Sequence, residues 1–425
     1  MKLLIISFAF PPFNSIGAVR VGKTAKYLTE LGHDVRVVTA KDQPFPPTLP
    51  IEVDPNIVTY TKWLNLRSPA KVVLKGPGVA AGTDSPNGQV SSFLKRTVGA
   101  AYRTLLYFPD PYIGWFPTAV SASSNLIKNW RPDIILASSP PPTSLVVAAR
   151  LSRLHNIPWV ADLRDLWVDH QYYQQPGWRR FIETKLERRV LASAADFITV
   201  SEPLAETLRD KYAKPTTVVL NGFDPTDYPT DSRVPFNEGC LRILYTGVVY
   251  EGKQDPSPVF EALRKLGPRV EKLRLVFHGV YLNSVREMIE RYNLRGIVEV
   301  NSLVPYRESL KLQMEADILL LLLWTDQAQR GVYTGKLFEY IGARRPILAV
   351  GPAGNVAAEM ILKKQAGVVT ADPVEIAGHL RNWLEEKQRL GFVAGLPEDV
   401  VAGISRKEQV KVLEERLANI RLRSE

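Results

Sequence analysis

A chain of 425 residues has room for two or three domains, and a composition 45% apolar and 23% charged excludes a disordered or membrane-dissolved chain. A formal charge of +10 favours anionic partners, such as phosphorylated ligands, nucleic acid or an acidic membrane surface. One cysteine, Cys240, allows no internal disulfide, which fits a reducing, cytoplasmic compartment, and with five scattered histidines it supplies no zinc-ligand pattern.

In chain order, "KLLIISFAF" predicts a strand. Pro11–Pro12 cuts the apolar run short and no small-residue cleavage site follows, so it does not read as a signal sequence. "SIGAVRVGKTAKYLTELGHD" predicts a helix with Val21, Ala25, Leu28 and Leu31 on one face, stopped at Gly32. "VRVVTA" predicts the next strand. Residues 66–93, rich in Gly, Pro and Ser, predict a mobile loop. Residues 91–108, "SSFLKRTVGAAYRTLLYF", predict a basic amphipathic helix that either packs on the surface or lies on an anionic membrane. "PDIILASS", "PWVADLRD", "ADFITVS" and "TTVVLNG" predict strands, with "TSLVVAARLSRLHN" and "EPLAETLRDKY" as helices between them.

A second series runs through "LRILYTG", "LRLVFHG", "IVEVNS", "ADILLLLLW", "RPILAVG" and "AGVVTA". Its longest apolar run, Ile318 to Trp324, falls far short of the roughly 20 residues that cross a bilayer and fits a strand buried on both faces. Two such α/β series predict two Rossmann-like, doubly wound parallel-sheet domains facing each other across a cleft. The expected division is 1–228, a polar linker at 229–240, a second domain at 241–400, and a helix at 401–425 packing back across both lobes.

Ligands of open parallel sheets bind beyond the carboxyl ends of the strands. Those ends carry Gly17 at a helix start, "SSPPPTS", and "DLRDLWVDH" with Arg164, Asp165 and His170 in the first half. Gly17 reads as an anion-approach position or a plain tight turn. Arg164 and Asp165 read as a sugar-facing wall or as a pair capping the strand end. In the second half Gly247 permits close backbone approach, and Lys253 is a point charge or a solvated lysine. The stretch "YTGKLFEYIG" is the most informative. Thr334–Gly335 opens a helix whose free N–H groups, over about 335 to 338, would hold a diphosphate with Lys336, without a metal. Glu339, one turn on, would accept hydrogen bonds from a ribose diol; the alternative is an exposed Lys/Glu pair. No G-x-G-x-x-G dinucleotide fingerprint or P-loop is present.

"GKLFEYIGARRPILAVGP" resembles the nucleotide-sugar motif of the group 1 retaining glycosyltransferases (glycosyltransferase family four, GT-B fold). Further matching stretches are "FAFPPFNSIGAVR", "DPYIGWFPTA", "PDIILASSPPPTS", "WVADLRDLW", "VLNGFD" and "YTGVVYEGKQDPSPVFEAL". The resemblance implies a nucleotide-diphosphate sugar as donor, with Glu339 on its ribose, Lys253 and residues 334–336 on its pyrophosphate, His278 beside the base, and Gly17 approaching from the other lobe. It implies no further cofactor and no metal. Where the family often carries a second glutamate and an arginine, this chain has Gly331 and Val248, so Arg330 and Arg164 become candidates for sugar or phosphate contact. The expected acceptor is a glycan or a lipid-linked sugar, handled in the cytoplasm or peripherally on the inner face of the membrane, with no nucleic acid as partner. A non-catalytic nucleotide-sugar-binding subunit and a GT-B-fold epimerase are the alternatives.

Overall fold

In the computed structural model, residues 1–66, 106–170, 173–228, 239–280, 282–326 and 329–424 are described. The expected loop at 66–93, the helix at 91–108 and the linker at 229–240 fall almost wholly outside the described residues. The chain divides into two compact units, Met1–Val219 with Val410–Glu425, and Leu220–Gln409.

The first unit is built on a seven-stranded parallel sheet: β1 Lys2–Ile6, β2 Asp34–Ala40, β3 Val58–Thr61, β4 Ile134–Ser139, β5 Trp159–Leu163, β6 Asp196–Thr199 and β7 Thr216–Val218. Their order is β3-β2-β1-β4-β5-β6-β7. Unbroken apolar runs such as "LLII" suit strands covered on both faces, and Leu3 to Ile6 are fully buried. The covering helices are α1 Ile16–Glu30, α2 Phe116–Asn129, α3 Thr143–His155, α4 Gly177–Leu191 and α5 Glu202–Tyr212. Helix α4 has a mixed inward face and therefore a weak periodic sequence signal: it buries Arg179, Glu183 and Glu187 along with Val190 and Leu191.

The second unit holds a six-stranded parallel sheet of β8 Leu241–Thr246, β9 Leu273–His278, β10 Val298–Asn301, β11 Ile318–Leu322, β12 Ile347–Val350 and β13 Gly367–Thr370, in the order β10-β9-β8-β11-β12-β13. Helices α6 Ser257–Lys265, α7 Asn283–Tyr292, α8 Tyr306–Glu315, α9 Gly335–Ala343, α10 Val356–Lys363 and α11 Pro373–Leu390 alternate with the strands. The α/β doubly wound class expected from the sequence is what both units show. The last helix, α12 Arg406–Ser424, starts in the second unit; its Val410, Leu413, Leu417 and Ile420 join the core of the first, with Leu3, Ile5 and Val37. No helix among the described residues is long and apolar enough to cross a membrane.

Each sheet reverses its strand order once, between β1 and β4 and between β8 and β11. Ligands of doubly wound sheets lie beyond the strand ends at such points. The loop after β1 leads to Gly17, and the loop after β8 begins at Gly247.

Candidate functional site

In the second unit, the loops after β8 and β11 bring Gly247, Lys336 and Glu339 together. Thr334 is extended (φ −82°, ψ 145°) and starts α9 without a side-chain cap. Its Oγ1 is buried with no hydrogen-bond partner among the described residues. An N-cap hydroxyl normally accepts from the second or third helical N–H; here that end of the helix is open. Of the four N–H groups expected to be free, that of Leu337 turns back onto the Thr334 carbonyl at 3.2 Å. The inward face of α9 (Leu337, Phe338, Tyr340, Ile341) is fully buried and fixes the direction of the other.

Lys336 is more enclosed than the sequence implies. Its Nζ donates to Tyr245 Oη at 2.9 Å and to the Val248 carbonyl at 3.3 Å, and lies 4.5 Å from the Tyr245 ring centre. Tyr245 in turn donates to the Val248 carbonyl at 2.6 Å. Burial draws the ammonium down to about 8, against the opposing pull of Glu339. Glu339 Oε2 accepts from Gln313 Nε2 at 3.2 Å. Burial raises its carboxyl; Gln313, Lys336 and Arg406 partly offset that. This differs from the exposed Lys/Glu pair that the sequence allows, because burial takes the carboxyl out of water. Tyr245 and Gln313 were not predicted: a tyrosine inside "LRILYTG" looks like any core aromatic.

The lysine needs space at Gly247, where a Cβ would lie 2.6 Å from Lys336 Cε and where φ is +111°. The Gly247 N–H donates to the His278 carbonyl at 2.7 Å, and the His278 ring donates from Nδ1 to the Ser302 carbonyl at 3.3 Å. His278 therefore sits beside Gly247 at the end of β9. Gly247→Ala is expected to displace Lys336 and to destabilise by about 1–3 kcal/mol for the forced positive φ, as read by thermal unfolding. Lys253 and Arg330 are exposed on flanking loops. The Lys253 carbonyl accepts from the Thr325 N–H at 3.0 Å, tying the β8 loop to the end of β11. The Arg330 carbonyl accepts from the Val356 N–H at 2.9 Å.

In the first unit the start of α1 is capped: Ser15 Oγ accepts from the Ala18 N–H at 3.1 Å. Gly17 is occupied on its open side by Arg164, whose Nη2 would lie 2.6 Å from a Cβ at Gly17. The glycine thus makes room for a guanidinium, a role that neither an anion site nor a tight turn describes. Arg164 also donates from Nη2 to the Pro140 carbonyl at 2.9 Å, while its Nε is buried without a partner among the described residues. Burial lowers its pKa and the carboxylates of Asp162 and Asp165 pull it back up. Asp165 Oδ1 is 3.9 Å from His170 Nε2. Both residues line a cavity of about 580 Å³ with Tyr107, Trp167, Arg179 and Glu183.

Behind Arg164 lies a buried pair that sequence reading missed. Arg20 grips Asp162 with Nε at 3.0 Å and Nη2 at 2.8 Å, and Ser138 donates to the same carboxylate at 2.8 Å. Arg20 Nη1 donates to the Val219 carbonyl at 3.0 Å. The pair joins α1 to β4, β5 and the end of β7.

Residues 17–222 match the family model described as a glycosyl transferase 4-like domain. The first unit carries a glycosyl transferase 4-like domain. Among solved structures, a glycosyltransferase from Rickettsia africae is 14% identical, with 99% of this chain and 98% of that one covered at a TM-score of 0.61. Anabaena HepE, solved in complex with UDP, is 13% identical over 100% and 98% at a TM-score of 0.57. The UDP-GlcNAc 2-epimerase of Methanocaldococcus jannaschii is 12% identical over 98% and 100% at 0.50. At such identities these likenesses show the fold, which is GT-B. Comparison with curated proteins returned no match. The resemblance to group 1 glycosyltransferases read from the sequence is borne out by the glycosyl transferase 4-like domain together with the two-sheet fold.

Proposed function

We propose that the protein is a retaining, metal-independent glycosyltransferase that moves a sugar from a nucleotide-diphosphate sugar to a glycan or lipid-linked acceptor, in the cytoplasm or at the inner face of the membrane. The observation that carries this is the start of α9, where the Thr334 hydroxyl has no partner among the described residues and caps no N–H, and where the Lys336 ammonium is held at the end of β8 by Tyr245. A helix start with a nearby cation suits a diphosphate, and Glu339 suits a ribose diol. The UDP complex of the HepE neighbour supports the ligand class.

In this reading the bond from the sugar anomeric carbon to the diphosphate oxygen breaks. The charge left on that oxygen is stabilised by the α9 N–H groups and Lys336. The acceptor oxygen bonds to the anomeric carbon on the same face, and its proton passes to the departing diphosphate. Arg164 and Asp165 orient a donor hydroxyl or the acceptor, Gly17 lets that wall approach closely, His278 borders the base, and Lys253 and Arg330 add phosphate or sugar contacts that Gly331 and Val248 do not supply.

The test is release of nucleoside diphosphate from a panel of UDP-, GDP- and ADP-sugars, with and without crude glycolipid acceptor. One donor is expected to react, with retained anomeric configuration by NMR and an unchanged rate in EDTA. Glu339→Ala should lower that rate about 10- to 100-fold, the value of a hydrogen bond to a charged group. Saturable binding with no release would instead identify an accessory subunit, and isomerised sugar nucleotide an epimerase.

A further inference from the structure

The first turns of helix α4 are inside out, although its last turn buries Val190 and Leu191 in the core. Its inward residues Arg179, Glu183 and Glu187 are almost fully buried; Arg179 Nε bonds Glu183 Oε1 at 2.7 Å, and Glu187 accepts from Lys211 at 2.8 Å. Its outward residues are large and apolar: Trp178, Phe181 and Ile182 are 52%, 61% and 45% exposed. Lys185, Arg188 and Arg189 continue the same stripe and are exposed as well. The spacing i, i+3, i+4, i+7, i+10, i+11 sets all six on one side of the helix. Lys185 Nζ stands 4.2 Å from the Phe181 ring centre. Burying ion pairs while exposing three large apolar groups is the reverse of what packing favours. The outer face is therefore built for a partner that meets it from outside.

We propose that this face docks the protein on an anionic membrane surface. Trp178, Phe181 and Ile182 enter the boundary between headgroups and acyl chains, and Lys185, Arg188 and Arg189 meet the lipid phosphates. Charge chooses this occupant: no exposed residue of α4 is acidic. Arg179 and Glu183, on the other side of the helix, line the 580 Å³ cavity that reaches Asp165. Docking would hold that cavity next to lipid-linked sugars, a consequence that rests on the transferase reading; the docking itself does not.

Flotation of the full-length protein with phosphatidylcholine vesicles, with and without phosphatidylglycerol, tests this in the absence of donor and acceptor. Binding is expected only with the anionic lipid and should weaken with added salt. Lys185→Glu/Arg188→Glu/Arg189→Glu should lower partitioning by about 100-fold or more, at about fivefold per cation removed. Trp178→Ser/Phe181→Ser should lower it at least about tenfold by removing apolar insertion. Both variants should keep the wild-type thermal transition, because the replaced side chains are exposed. Equal binding to neutral vesicles, or unchanged binding by either variant, would overturn the proposal. So would a concentration-dependent dimer that Phe181→Ser abolishes. Vesicle binding without sugar transfer would leave docking standing and remove the transferase reading; transfer without vesicle binding would do the opposite.

Discussion

Lys336→Met is expected to lower kcat/KM for the preferred nucleotide sugar by about 10²- to 10³-fold, the usual cost of losing one preorganised donor to a developing oxyanion. The methionine keeps the unbranched stem, so the packing against Gly247 survives and the ammonium alone is lost. The pH dependence separates this from a packing defect. With the ammonium at about 8 in the folded protein, the charge proposed to hold the diphosphate is present below that pH and disappears above it. The wild-type donor KM should therefore rise as pH passes through about 8, and the Met variant should show no such inflection. Stability moves the other way. The unfolded lysine keeps its proton up to about 10.5, so the cost of burying the charge is present below about 8 and relieved between about 8 and 10.5. Donor affinity should fall over a pH range in which this residue favours folding more, a pairing of signs that kinetics and thermal unfolding at matched pH can read. A variant that retains the inflection would remove Lys336 from the donor site.

Asp162→Ala is expected to be strongly destabilising in the first unit. Arg20 is only 4% exposed and Asp162 6%, and two hydrogen bonds join them with a third from Ser138. Removing the carboxylate leaves an enclosed guanidinium without its counter-charge, at a cost of about 3–5 kcal/mol. A domain of this size loses roughly 2–4 °C per kcal/mol, so calorimetry should show the thermal midpoint down by about 6–20 °C. Arg20→Met/Asp162→Leu should recover most of the loss, because an apolar pair of similar volume carries no stranded charge. If the single variant melts with the wild type, the pair does not tie α1 to the sheet.

The part of the proposed donor site legible in the sequence is the part that is local. Thr334, Gly335, Lys336 and Glu339 lie within one turn of one helix, so their spacing alone brings them together, and "YTGKLFEYIG" displays it. The fold was legible for a related reason: apolar runs such as "KLLII" and "ILLLL" stand for strands buried on both faces, and helical patterns alternate with them. Helix α4 escaped, because a helix that buries Arg179 and Glu183 beside Val190 and Leu191, and exposes Trp178 and Phe181, blurs the inward apolar period.

Composition and local pattern by themselves determined that the chain is an α/β protein of two parallel-sheet units, with an open helix start beside a lysine and a carboxylate. Only the tertiary structure decided how those groups are charged and held. Lys336 meets Tyr245 across 91 residues of chain, and Arg20 meets Asp162 across 142. Gly17 proved to be the seat of Arg164. Desolvation and long-range contact set these outcomes, and both arise only when strands distant in sequence lie side by side and exclude water.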